Sequence, residues 1–125
     1  MIGRDEFWAI RKAIEDLIHE AENGAIVVVE GRKDAESLRS LGITGTILLS
    51  SVLSDAKLVD SLMGKRVVIM TDWDRRGEMA AAALLKKLNC SADIEIRRRI
   101  FSVASKEVTK VEELYSFFEK YSRIY

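Results

Sequence analysis

The sequence predicts an α/β fold, a mainly parallel four-stranded sheet flanked by helices with an added N-terminal helix. Three observations carry that expectation. Short apolar runs rich in β-branched residues alternate with stretches of helical periodicity, glycines stand at the joints, and acidic residues follow the apolar runs. Such alternation favours parallel strands joined by right-handed crossover helices.

From Arg4 to Glu22 the chain spaces Phe7, Ile10, Ile14, Leu17, Ile18 and Ala21 as one apolar stripe, with Arg11, Lys12, Glu15, Asp16 and His19 opposite. This predicts an amphipathic helix that stops near Asn23-Gly24. Ala25 to Glu30 is a continuous β-branched run, the pattern of a strand buried on both faces. Gly31 breaks it, Asp34 is suited to cap a helix running through Leu41, and Gly42 ends that helix. Gly45 to Ser50 reads as a second strand. Ser54 or Asp55 caps a helix to about Met63, Gly64 stops it, and Arg66 to Thr71 forms a third strand.

The next helix covers about Arg76 to Leu88. Its Ala80 to Ala83 run offers small side chains for a close approach to the sheet, and Asn89 can terminate it. Ile94 and Ile96 alternate with Glu95 and Arg97, which predicts a fourth, edge-type strand over Asp93 to Arg98. Val111, Leu114, Tyr115, Phe117 and Phe118 mark a last helix over about Lys110 to Tyr121. The architecture is Rossmann-like, and in such sheets ligands bind beyond the carboxyl ends of the strands, where strand order reverses.

A chain of 125 residues with 48% hydrophobic content supports one core, hence one domain. Within it, residues 1–24 hold the N-terminal amphipathic helix, 25–98 the α/β core, and 99–125 a C-terminal extension and helix. The 20 basic and 20 acidic residues cancel. No global positive field therefore attracts a polyanion, and nucleic-acid binding requires a local patch or a bridging cation. A single cysteine excludes an internal disulfide, and no signal peptide or bilayer-length apolar run is visible, so a cytoplasmic protein without a membrane partner is expected. Cys90 reads as a buried or idle thiol, and His19 as a surface histidine.

The residues after the strands carry the chemistry. The first strand ends in Glu30-Gly31-Arg32-Lys33-Asp34, and the third in Asp72-Trp73-Asp74-Arg75-Arg76-Gly77-Glu78. In extended chain, Asp72 and Asp74 point the same way, and Gly77 lets the chain turn into the next helix. Adding Glu30 from a neighbouring strand gathers three carboxylates, an arrangement that calls for a neutralising cation. Mg²⁺ suits it, with Mn²⁺ as substitute, because it takes hard oxygen ligands, keeps waters and uses few carboxylates; zinc would want His or Cys. An EF-hand fails, since Arg76 and Ala83 stand where ligands are required. A receiver domain fits less well, because the first strand has no acidic pair after it.

These residues resemble a known family. Glu30 to Asp34 is similar to its E-G-x-x-D motif, and Asp72 to Glu78 to its D-x-D-x-x-G-E motif. The family is the Toprim domain, shared by topoisomerases, bacterial-type primases, recombination-associated proteins and small ribonucleases that mature ribosomal RNA. The resemblance covers about residues 25 to 98. Trp73 departs from it, standing where proline is frequent; in this, and in the stretch from Lys106 to Glu113, the chain resembles small archaeal members. The resemblance implies that Asp72 and Asp74 hold Mg²⁺, while Glu30 shares a metal or exchanges a proton during strand cleavage or nucleotidyl transfer.

Arg32 and Arg76 flank the carboxylates as phosphate contacts. Asp34 either assists at the mouth or serves as a helix cap, and the Arg97 to Arg99 run either extends a nucleic-acid track or is solvated. RNA or DNA is the expected partner. One expectation is nuclease-like processing of phosphodiesters; the alternative is a non-catalytic, metal-assisted module in an RNA-processing or repair assembly. Topoisomerase chemistry is not expected of Tyr115, Tyr121 or Tyr125, which lie in or after the terminal helix. Phe7 and Trp8 pack on the core or form a homodimer contact.

Overall fold

The β-branched run after Gly24 folds as the centre of a parallel sheet, and the helical stretches close over both of its faces. The computed structural model describes residues 1–89 and 91–125; Cys90 and the thiol reading attached to it lie outside them. The elements are α1 (Arg4–Glu22), β1 (Ile26–Val29), α2 (Arg32–Ser40), β2 (Ile47–Leu49), α3 (Asp55–Leu62), β3 (Val67–Ile69), α4 (Arg75–Lys87), α5 (Glu95–Ala104) and α6 (Leu114–Ile124). A 3-10 turn at Val111–Glu113 leads into α6.

The sheet has the order β2-β1-β3 with every pairing parallel; Val28 faces Leu48 on one side and Ile69 on the other. Strand alternation sorts the side chains. Val27, Val29, Val68 and Met70 enter a core with Ile10 and Leu17 of α1, Leu38 of α2, Ile100 and Phe101 of α5, and Phe117 of α6. Ile26, Val28, Val67 and Ile69 enter a second core with Leu58 and Leu62 of α3 and Ala81 and Leu84 of α4. Each of the Val, Leu, Ile, Met and Phe side chains among them contributes about 1.5–3 kcal/mol by leaving water. The chain runs from central β1 out to β2, then crosses back past β1 to β3. Strand order therefore reverses between the carboxyl ends of β1 and β3, where Glu30 and Asp72 stand.

The fourth strand expected over Asp93 to Arg98 is reduced to a single bridge. Asp93 donates its N–H to the Val67 carbonyl (2.8 Å) and accepts from the Ile69 N–H (2.9 Å), and the chain then enters α5. The physical reason is twofold. The Asp93 carboxylate accepts from the N–H groups of Glu95 (2.7 Å) and Ile96 (3.3 Å), satisfying donors that a helix start leaves free. Ile96, Ile100, Phe101 and Ala104 then bury one helical stripe, which outweighs an alternation only four residues long.

Helix α1 spans the predicted residues. Its Phe7 is buried, with its ring centroid 5.2 Å from Phe118, whereas Trp8 is 54% exposed. The chain's two ends are tied together: Tyr121 accepts from the Ile2 N–H (3.0 Å) and donates to Glu107, and Tyr125 donates to the Ile2 carbonyl (2.8 Å). Among the described residues no helix is long and apolar enough to cross a membrane.

Candidate carboxylate site at the sheet switch point

Each of the three strand-end carboxylates commits one oxygen to a backbone amide. Glu30 Oε2 accepts from the Asp72 N–H (3.0 Å), which ties the end of β1 to the end of β3. Asp72 Oδ1 accepts from the Val111 N–H (2.8 Å). Asp74 is the N-cap of α4, its Oδ1 accepting from the Gly77 N–H at 2.7 Å. The second oxygens of Asp72 and Asp74 share one cation, the Lys110 ammonium, at 4.0 and 3.5 Å. The Gly77 amide, and after it Lys110, hold the Asp74 carboxyl below the ordinary carboxylate range.

Glu30, Asp34 and Asp72 line one open cleft of about 500 Å³ with Arg76, Lys110 and Glu112. Asp34 is buried and sits at the third position of α2, where its Oδ2 accepts from the Gly31 N–H (3.0 Å). It does not precede the helix as a cap; it reaches back from inside the first turn. Burial pushes the Asp34 carboxyl up; the Gly31 N–H works against this, and the charges of Asp72, Glu30 and Glu112 add to it. Arg32 stays outside the cleft, with an 83% exposed side chain loosely paired to Glu36 at 3.8 Å.

Beneath the D-x-D turn lies a residue whose role the sequence did not reveal. Arg97 is 3% exposed. Its guanidinium donates to the carbonyls of Thr71 (2.8 Å) and Asp72 (2.6 Å) and pairs with Glu78 at 2.9 Å. It also lies 4.8 Å over the Trp73 ring, which stacks on Phe101. Both the final glutamate of the D-x-D-x-x-G-E stretch and the unusual tryptophan are thus explained: they receive a buried cation. The arginine run forms no track. Arg97 is inside, Arg98 pairs with Glu95 (2.7 Å) and Arg99 with Asp16 (2.8 Å).

Gly77 is required for a reason other than turning. A Cβ built there would lie 1.9 Å from the Asp72 carbonyl oxygen, and Thr71 Oγ1 donates to the Gly77 carbonyl at 2.8 Å. The first turn of α4 therefore rests directly on the strand end. Lys110 and Glu112 also escaped sequence reading as site residues. The only signal for them was their place in the stretch resembling archaeal members, since no local pattern links Lys110 to Asp72.

The three carboxylates expected to cluster stand near one another without converging among the described residues, so the class of protein is a parallel α/β domain with acidic side chains at its switch point and a glycine-dependent strand-to-helix turn. The Toprim domain model matches residues 24–99. The UPF0292 protein of Archaeoglobus fulgidus is 42% identical over 116 residues, covering 90% of this chain and 92% of its own. That of Methanocaldococcus jannaschii is 35% identical over 124 residues, covering 94% and 96%. A solved structure of an Aquifex aeolicus protein superposes with a TM-score of 0.70 at 24% identity, over 82% of this chain and 95% of that one. The chain belongs to the Toprim family and to the archaeal UPF0292 proteins within it. That membership implies a metal-dependent function connected with nucleic acid.

Proposed function

We propose that this protein is a Mg²⁺-dependent, nuclease-like Toprim protein acting on phosphodiesters of RNA or DNA. The observation that carries the reading is the division of labour within each carboxylate, one oxygen fixed by a backbone amide and the other left for a cation. Among the described residues no three His, Cys, Asp or Glu side chains converge at metal-ligating spacing. The donor set is a pair, Asp72 and Asp74, with Glu30 beside it. That composition fits Mg²⁺, which typically takes one or two carboxylates, several waters and the substrate's own phosphate. Mn²⁺ fits the same oxygens.

Asp72 and Asp74 would hold the ion, and Glu30 would share it or take the proton of the attacking group. Bound there, the ion supplies neutralisation of phosphate charge and a fixed orientation for the phosphodiester. The protein's own groups do the rest. Arg76, on the first turn of α4 and lining the cleft, would contact a phosphate there. Asp34, with its raised affinity for a proton, can hold one at the inner wall beside Glu30 and Asp72. Five carboxylates, Glu30, Asp34, Asp72, Asp74 and Glu112, stand here with two cationic side chains, Arg76 and Lys110. A polyanion approaching without a divalent cation would meet a mainly negative surface, which makes metal dependence the natural outcome.

The test incubates purified protein with labelled structured RNA, single-stranded DNA and duplex DNA in Mg²⁺, Mn²⁺ or EDTA. Metal-dependent cleavage that Glu30→Gln and Asp74→Asn abolish is the expected result. Binding without cleavage on every substrate would transfer the reading to a non-catalytic module, and failure to bind metal or nucleic acid would overturn both.

A further inference from the structure

Resting on that metal reading, we infer that Lys110 is a tethered internal cation that competes with the divalent ion for Asp72 and Asp74 and so sets the cation affinity of the site. Its ammonium lies 3.5 Å from Asp74 Oδ2 and 4.0 Å from Asp72 Oδ2, the two oxygens that the reading assigns to the metal. Both cations cannot hold the same oxygens at close range. One must yield.

The backbone on either side of Lys110 is held to the site. The Thr109 carbonyl accepts from the Trp73 N–H (2.8 Å), the Val111 N–H donates to Asp72 Oδ1 (2.8 Å), and the Val111 side chain is fully buried. The Lys110 side chain itself is about half exposed, at 49%. Its Cα is therefore fixed beside the carboxylates while its flexible stem can swing the ammonium away. A cation anchored in this way has a high local concentration at the pair and never diffuses off. Lys110 also comes from the segment beyond residue 99, where the Toprim match ends, so this competition is supplied by the C-terminal extension and not by the core motif.

Two partly exposed ion pairs, each shifting an equilibrium by about two- to threefold, multiply to about four- to ninefold, so removing the ammonium should tighten divalent binding about three- to tenfold. The experiment titrates Mn²⁺ into the full chain and follows free ion by electron paramagnetic resonance. Wild type, Lys110→Met, Lys110→Gln, Lys110→Arg and Asp74→Asn are compared, each checked for a cooperative thermal melt. The inference expects Mn²⁺ to bind both neutral variants three- to tenfold more tightly, with Lys110→Arg within about twofold of wild type. Asp74-dependent binding that the neutral variants leave unchanged or weaken would overturn the competition while leaving the metal reading intact. Loss of any Asp74-dependent binding in every variant would overturn both.

Discussion

Replacing Gly77 with alanine would put a methyl group 1.9 Å from the Asp72 carbonyl oxygen, 2.7 Å from its carbon and 3.0 Å from its nitrogen. All three contacts are backbone, so no side chain can rotate away; the first turn of α4 has to lift off the end of β3. Three interactions are strained by that movement: the Asp74 cap on the Gly77 N–H, the Thr71 hydroxyl on the Gly77 carbonyl, and the Arg97 contact with the Asp72 carbonyl. A lost cap costs about 1 kcal/mol. A buried hydrogen bond left unmade costs about 1–3 kcal/mol. Against these, alanine in a helix gains about 0.5–1 kcal/mol over glycine. The net expectation is a loss of about 2–4 kcal/mol, large for a single substitution. Gly31→Ala is the matched control, because a Cβ there meets nothing within 4 Å, and only the weaker N-cap preference of alanine, about 1 kcal/mol or less, should be lost. Urea denaturation followed by far-UV circular dichroism gives both values. A Gly77→Ala protein as stable as wild type, or more so, would refute the close-approach reasoning, since only the helix-propensity gain would then remain.

Arg97→Met fills a similar volume but leaves the carbonyls of Thr71 and Asp72 without their donor; a loss of about 2–3 kcal/mol is expected by the same denaturation assay. Glu78→Gln should cost much less, because the Glu78 side chain is 58% exposed and remains solvated. For Asp34 the sign follows from its raised folded-state pKa. Its favourable contribution is fully present below the unfolded carboxylate value and is lost as pH rises through the folded one. Asp34→Asn should therefore gain stability relative to wild type on going from acid to neutral pH, as read from melting temperatures at pH 3 and pH 7; a difference that does not change with pH would contradict this.

The strands that frame the site were legible because their signals are local. Ala25 to Val29 and Val67 to Met70 are unbroken apolar runs, and Glu30 and Asp72 follow from where those runs stop. Asp93 to Arg98 misled because Ile94 and Ile96 satisfy a two-residue period over a span too short to separate from a helix, and Arg97 looks solvent-facing until its partners are known. Those partners, Thr71, Asp72 and Glu78, are distant in sequence. The same holds for Lys110 and Val111 at Asp72, a pairing 39 residues long for the latter. Gly77 was legible as indispensable but not for the right cause, since a close approach to backbone leaves no trace in the residues around it.

The amide of Val111 on Asp72 has a consequence for the order of events during synthesis. Glu30, Asp72 and Asp74 are all translated, and their strands can already pair, before the segment that fixes Asp72 has been made. A nascent chain ending short of residue 110 would carry the acidic motif without its partner amide or its lysine. The finished geometry of the cleft is thus reserved for chains whose last segments have docked.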